Sequence, residues 1–149
     1  MDKKFLLGIV FSLLLGLFVG NVFYYKYQKD NNLYNEYNSY MLQFGIFNTK
    51  DELNKSVSNI SNYMLIEKNN KYYVYLGVST KKDNAKKLQE VFNDNNIEVS
   101  IKKTIIDNVE FISNLEQFDI LLESATNDDD LLSINEVIIS SYEEMVLNN

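Results

Sequence analysis

Between Tyr40 and Phe47 the chain reads YMLQFGIF, an alternation that sets Met41, Gln43, Gly45 and Phe47 on one side of a strand. KYYVYLGVS, from Lys71 to Ser79, sets Tyr73, Tyr75 and Ser79 together, and IEVSIKK, from Ile97 to Lys103, sends Glu98, Ser100 and Lys102 outward. A glutamine amide offers donors and an acceptor, and a tyrosine offers a flat ring with a polar end. Such a set holds a polar ligand without reacting with it. Its bland counterpart is that Tyr and Phe simply favour strands. Catalysis finds little support elsewhere, because the chain has no His and no Cys, hence no imidazole base, thiolate nucleophile, disulfide, zinc finger or iron–sulfur site. No pair among the 21 acidic residues stands out as a glycosidase couple. Asp128 to Asp130 lack the spaced ligands and following Glu of a calcium loop. No catalytic residue, metal or cofactor is expected.

The elements that would carry these residues are duplicated. YMLQFGIFNTKDELNK (40–55) lies over YYVYLGVSTKKDNAKK (72–87) at an offset of 32, with Tyr40 on Tyr72, Gly45 on Gly77, Lys50 on Lys82, Asp51 on Asp83 and Lys55 on Lys87. Each copy reads as a strand and then a helix. Asn48 with Asp51 and Thr80 with Asp83 have capping spacing. Leu53, Val57 and Ile60 share one helical face, and Ala85, Leu88 and Phe92 share the other. YMLIE (63–67) and IEVSIKK supply two more strands, with Asn69 and Asn70 at a turn. The expected fold is α+β: a ferredoxin-like βαββαβ sheet of four antiparallel strands with two helices on one face. Its far face, with Met41, Gln43, Phe47, Tyr73, Tyr75, Ser79, Ser100 and Lys102, receives no helix from the repeat.

Flanking segments complete the layout. Residues 1–4 precede a 21-residue apolar run, Phe5 to Tyr25, long enough as a helix to span roughly 31 Å of bilayer. Phe23, Tyr24, Tyr25 and Tyr27 form an aromatic belt at its end. No Ala-x-Ala-like cleavage site follows, so an uncleaved anchor is expected, with the amino terminus cytoplasmic and the rest exported. Residues 26–39 read as a polar tether and 40–106 as the repeat domain. Residues 107–149 read as an acidic helical hairpin, with stripes Val109, Ile112, Leu115, Phe118, Leu122 and Leu131, Ile134, Ile138, Tyr142, Met145. Asp107 with Glu110 has capping spacing for its first helix, and TNDDD (126–130) can cap its second. From Tyr40 to Lys103 ten Lys face seven acids, whereas from Thr104 onward eleven acids face no Lys. That balance argues against nucleic acid as a partner.

LQFGIF, with Gln43, Gly45 and Phe47, the Lys-Asp-rich helix start, and KYYVYLGVSTKKDNAKKL resemble the SPOR (sporulation-related repeat) domain over roughly residues 40–103. The resemblance implies a non-catalytic domain that binds bacterial peptidoglycan, particularly glycan strands stripped of stem peptides, often at the division septum and often on a single-span anchor. It implies that Gln43 matches the family's motif glutamine and that Gly45 and Gly77 are structural motif positions. The glycan-binding set would then be Met41, Gln43, Phe47, Tyr73, Tyr75, Ser79 and Lys102, with the membrane and an envelope or divisome protein as further partners. The chain departs from the family in reading Gly77-Val78-Ser79 where Gly-Pro-Phe is common. An alternative expectation is therefore an envelope adaptor with a degenerate domain of this kind and a helical docking tail.

Overall fold

The computed structural model describes residues 38–147. The expected membrane span at 5–25 and nearly all of the tether lie outside the described residues. Among those described, no helix is long and apolar enough to cross a membrane. The element order is β1 (Asn38–Phe47), α1 (Lys50–Ser56), β2 (Met64–Lys68), β3 (Lys71–Ser79), α2 (Lys82–Asp94), β4 (Ser100–Ile105), α3 (Val109–Ser124), α4 (Asp128–Tyr142) and a π-helical turn (Glu143–Leu147). The four strands form one antiparallel sheet in the order β2-β3-β1-β4, so the described residues are α+β with four α-helices.

Local chemistry sets the ends of these elements. The Glu52 amide donates to Thr49 Oγ1 at 3.2 Å, so Thr49 caps α1 one residue later than the sequence spacing implied, and Glu52 Oε2 accepts from the Asn48 amide just before that cap at 3.1 Å. Asn69 and Asn70 take φ of 54° and 57°, the left-handed pair that a two-residue β2–β3 turn requires. β4 begins at Ser100 rather than Ile97 because α2 closes there. Asn96 turns left-handed at φ 61°, its amide bonds Asn93 O at 2.9 Å, and the Ile97 amide bonds Phe92 O at 2.8 Å. That is the Schellman pattern, and it occupies residues a strand would have used. Asn108 and Asn127 cap α3 and α4 through the Phe111 and Asp130 amides, so Asn108 takes the capping role expected of Asp107.

The sheet register follows the duplication. Gln43 and Tyr75, equivalent positions in the two copies, pair with each other. Around them the pairs come as images: Met41 with Val78 mirrors Tyr73 with Ile46, and Tyr40 with Ser79 mirrors Tyr72 with Phe47. The register also shifts twice. From Met41 to Gln43, β1 advances two residues while β3 moves three, from Val78 to Tyr75; from Gln43 to Gly45, β1 advances two while β3 moves one, to Val74. Each extra residue reverses which face the following side chains take.

The core explains why the hairpin belongs to the fold. Leu42, Val74, Leu76, Ala85, Leu88, Val91 and Leu53 are buried where α1 and α2 meet the sheet, and Phe111, Ile112, Leu115, Leu122, Leu131, Ile138, Ile139 and Tyr142 extend the same cluster from α3 and α4. Val109, expected on the α3 stripe, is instead 60 % exposed, and Phe111 takes its place. β2 begins only at Met64, opposite Tyr75, so the last four residues of β3 have no strand on that side. The hairpin fills this flank, with Asn135 Nδ2 donating to Leu76 O at 2.7 Å.

Candidate functional site

One row crosses the whole sheet. Met64 on β2 pairs with Tyr75 on β3, Tyr75 with Gln43 on β1, and Gln43 with Ser100 on β4. Paired residues share a face, so Gln43, Tyr75 and Ser100 stand side by side. Tyr73 lies two residues along β3 and pairs with Ile66, while Met41 pairs with Lys102, which is exposed. The structure thus brings together Met41, Gln43, Tyr73, Tyr75, Ser100 and Lys102 on one face.

Phe47 and Ser79 do not join them. Strict alternation placed both on this face, but the register shifts carry each across to the other side, where Phe47 pairs with Tyr72 and Ser79 with Tyr40. Phe47 belongs with the α1 side, where Lys50 Nζ sits 5.9 Å from the centroid of the Tyr72 ring. Ser79 is fully buried and hydrogen-bonded to Asp119 and to the Lys81 amide. Neither is free to meet a ligand on the Gln43 face. Met41 stays on that face but is only 3 % exposed.

Two recesses among the described residues include side chains of this face. The first, of about 490 Å³, is lined by Met41, Tyr73, Tyr75 and Ile66 from the sheet and by Tyr142 and Val146 from the carboxy-terminal end of the hairpin. Lys68, Asn69, Thr104 and Asp107 add polar groups to its lining. Desolvation raises the Tyr75 phenol above its usual value, with Tyr73 adding to the effect, and desolvation with Tyr75 does the same for Tyr142. Tyr75 and Tyr142 therefore present neutral hydroxyls at neutral pH. The second recess, of about 500 Å³, is lined by Gln43, Phe44, Asn96, Glu98, Val99 and Ser100. Both fall in the size range of small-ligand clefts. Among the described residues no group of three or more acidic, His or Cys side chains could hold a metal ion.

Sequence reasoning placed Tyr142 on a packing stripe and did not set it in the site. Nothing local marks a residue 67 positions from Tyr75 as its neighbour; only hairpin docking does. Ile66, across from Tyr73, was legible as a strand residue but not as a site residue. Asp119 was not singled out in the sequence, yet it is fully buried and joins the hairpin to the β3–α2 corner. Gly45 and Gly77 both lie within the shifted stretches of register. A Cβ at Gly45 would stand 2.7 Å from the Phe47 ring, and one at Gly77 would stand 2.6 Å from Asn135 Oδ1. In comparisons with known proteins, no family model, curated protein or solved structure matches this chain.

Proposed function

We propose that this chain is a non-catalytic, membrane-anchored protein of the bacterial cell envelope that binds peptidoglycan glycan strands stripped of their stem peptides. The strand order β2-β3-β1-β4 with βαββαβ connectivity accords with the ferredoxin-like arrangement that the SPOR resemblance implies. A single anchoring helix at 5–25 would hold the domain outside the membrane with the amino terminus in the cytoplasm, at a division or sporulation septum. The observation that carries the reading is the row Tyr75–Gln43–Ser100, with Tyr73 beside it, on the sheet face turned from α1. An amide and hydroxyls suit sugar hydroxyl and acetamido groups, and tyrosine rings suit the flat side of a pyranose.

The test is co-sedimentation of the full chain, in detergent, with amidase-treated wall sacculi. Wild type pellets with the wall, and the double variant Gln43→Ala, Tyr75→Ala stays in the supernatant. Equal pelleting of both would remove the sheet face as the binding surface.

A second reading, an envelope adaptor, draws on one specific observation: the hairpin is docked on the fold, and Met41 is buried on the very face that would meet the sugar. Under that reading the double variant keeps its cellular position, because recruitment depends on a protein partner.

A further inference from the structure

We infer that the hairpin supplies one wall of the ligand site, with Tyr142 contacting the sugar directly, so that the tyrosine recess takes a short stretch or an end of a glycan strand. This rests on the glycan-binding reading and adds a residue and a segment to it. Tyr73, Tyr75 and Tyr142 line the same recess, with apolar Met41, Ile66 and Val146 beside them. None of the three phenols has a hydrogen-bond partner among the described residues. The rings are half-buried or buried, yet none of their hydroxyl oxygens is sealed from solvent without a partner, so a ligand with its own donors and acceptors can take the place of water on them. Apolar side chains between them favour one with a hydrophobic side as well. A pyranose ring has both.

Tyr142 is also held in place before any ligand arrives. Its ring meets Phe111 edge to face, with centroids 5.2 Å apart and planes at 86°. The turn that follows it is pinned by Asn108 Nδ2, which donates to Met145 O at 2.7 Å. A wall fixed this way binds without an ordering cost. Because the hairpin stands against the sheet on one side, the recess is bounded there, unlike an open sheet along which a strand could run in either direction.

The experiment is calorimetric titration of the full chain in detergent with a soluble, peptide-free oligosaccharide of alternating N-acetylglucosamine and N-acetylmuramic acid. Tyr142→Phe keeps the ring and its contact with Phe111 and removes the hydroxyl. The expected result is affinity lower by about three- to tenfold, the worth of one hydrogen bond, at an unchanged melting temperature. Val146→Trp fills the recess from its rim and abolishes the titration. If wild type binds and both variants bind equally well, the hairpin has no part in the site and the ligand belongs at the Gln43–Ser100 recess. If wild type binds neither this oligosaccharide nor sacculi, the glycan reading itself fails and takes the inference with it.

Discussion

Asp119 and Asn135 each stand on the buried stripe of their helix, Asp119 in line with Ile112, Leu115 and Leu122, and Asn135 with Leu131, Ile138 and Tyr142. A polar residue on such a stripe is costly to bury unless something satisfies it. Asp119 is satisfied four times. Oδ1 accepts from Ser79 Oγ and, at 2.9 Å, from Asn84 Nδ2; Oδ2 accepts from the Thr80 amide at 2.8 Å and from Thr80 Oγ1 at 2.6 Å. The Thr80 hydroxyl is thus spent on Asp119, which is why it does not cap α2 as its spacing implied. Asn135 is half satisfied, with Nδ2 on Leu76 O and Oδ1 buried without a partner. Asp119→Ala would leave the Ser79, Thr80 and Asn84 donors facing a void. At about 1–3 kcal/mol for each stranded buried group, a loss of at least about 2 kcal/mol is expected, read as a shift in the urea midpoint. A change below about 0.5 kcal/mol would mean that water reaches the site. The helices that carry both residues were visible in the sequence. Their partners, 35 to 59 residues away, were not.

At the scale of elements, the sequence shows what alternates but not what pairs. Strands and helices were legible because side-chain period follows backbone geometry, and the tandem copies made the order plain. Register is a property of two strands together. The two shifts, and with them the places of Phe47 and Ser79, therefore lay beyond alternation within one strand. A signal did exist: glycines inside strands often mark bulges, and Gly45 and Gly77 occupy matching positions in the two copies. At Gly77 the lack of a side chain admits Asn135, since a Cβ there would sit 2.6 Å from Asn135 Oδ1 and 3.4 Å from Leu42 Cδ1. Gly77→Ala must then displace an amide that is itself tied to Leu76 O, and overpacking of this kind costs about 1–3 kcal/mol. Combining it with Asn135→Ala removes the clash. The double variant is expected to be more stable than the sum of the single losses predicts, as measured by a thermal-melt mutant cycle. Strict additivity would show that the close approach has no energetic weight.

For the molecule as a whole, the question is whether the acidic hairpin is an appendage or part of the structure. Charge makes a weak joint. Lys81 Nζ meets Glu123 Oε1 at 2.6 Å, but both side chains are about half exposed, at 47 % and 49 %, and such pairs contribute little. Lys87 Nζ adds contacts to the Leu122 and Glu123 carbonyls at the end of α3, favourable for a cation at a helix carboxy terminus. Burial weighs far more. Phe111, Ile112, Leu115, Leu122 and Ile138 are each at most 1 % exposed, and every such side chain gains about 1.5–3 kcal/mol on leaving water. Part of that gain is internal to the hairpin, yet the hairpin residues share one buried cluster with the sheet, and Asn135 Nδ2 donating to Leu76 O ties the two together. A chain ending after Ile106 would expose the flank of β3 that β2 leaves bare, together with Val78 and Met64. It is therefore expected to lose its cooperative melting transition, followed by far-ultraviolet circular dichroism, while a chain lacking residues 1–35 keeps it. Cooperative melting of the 106-residue form near the full-length temperature would instead make the hairpin a separable arm. Its tyrosine could then no longer count as a fixed wall of the recess.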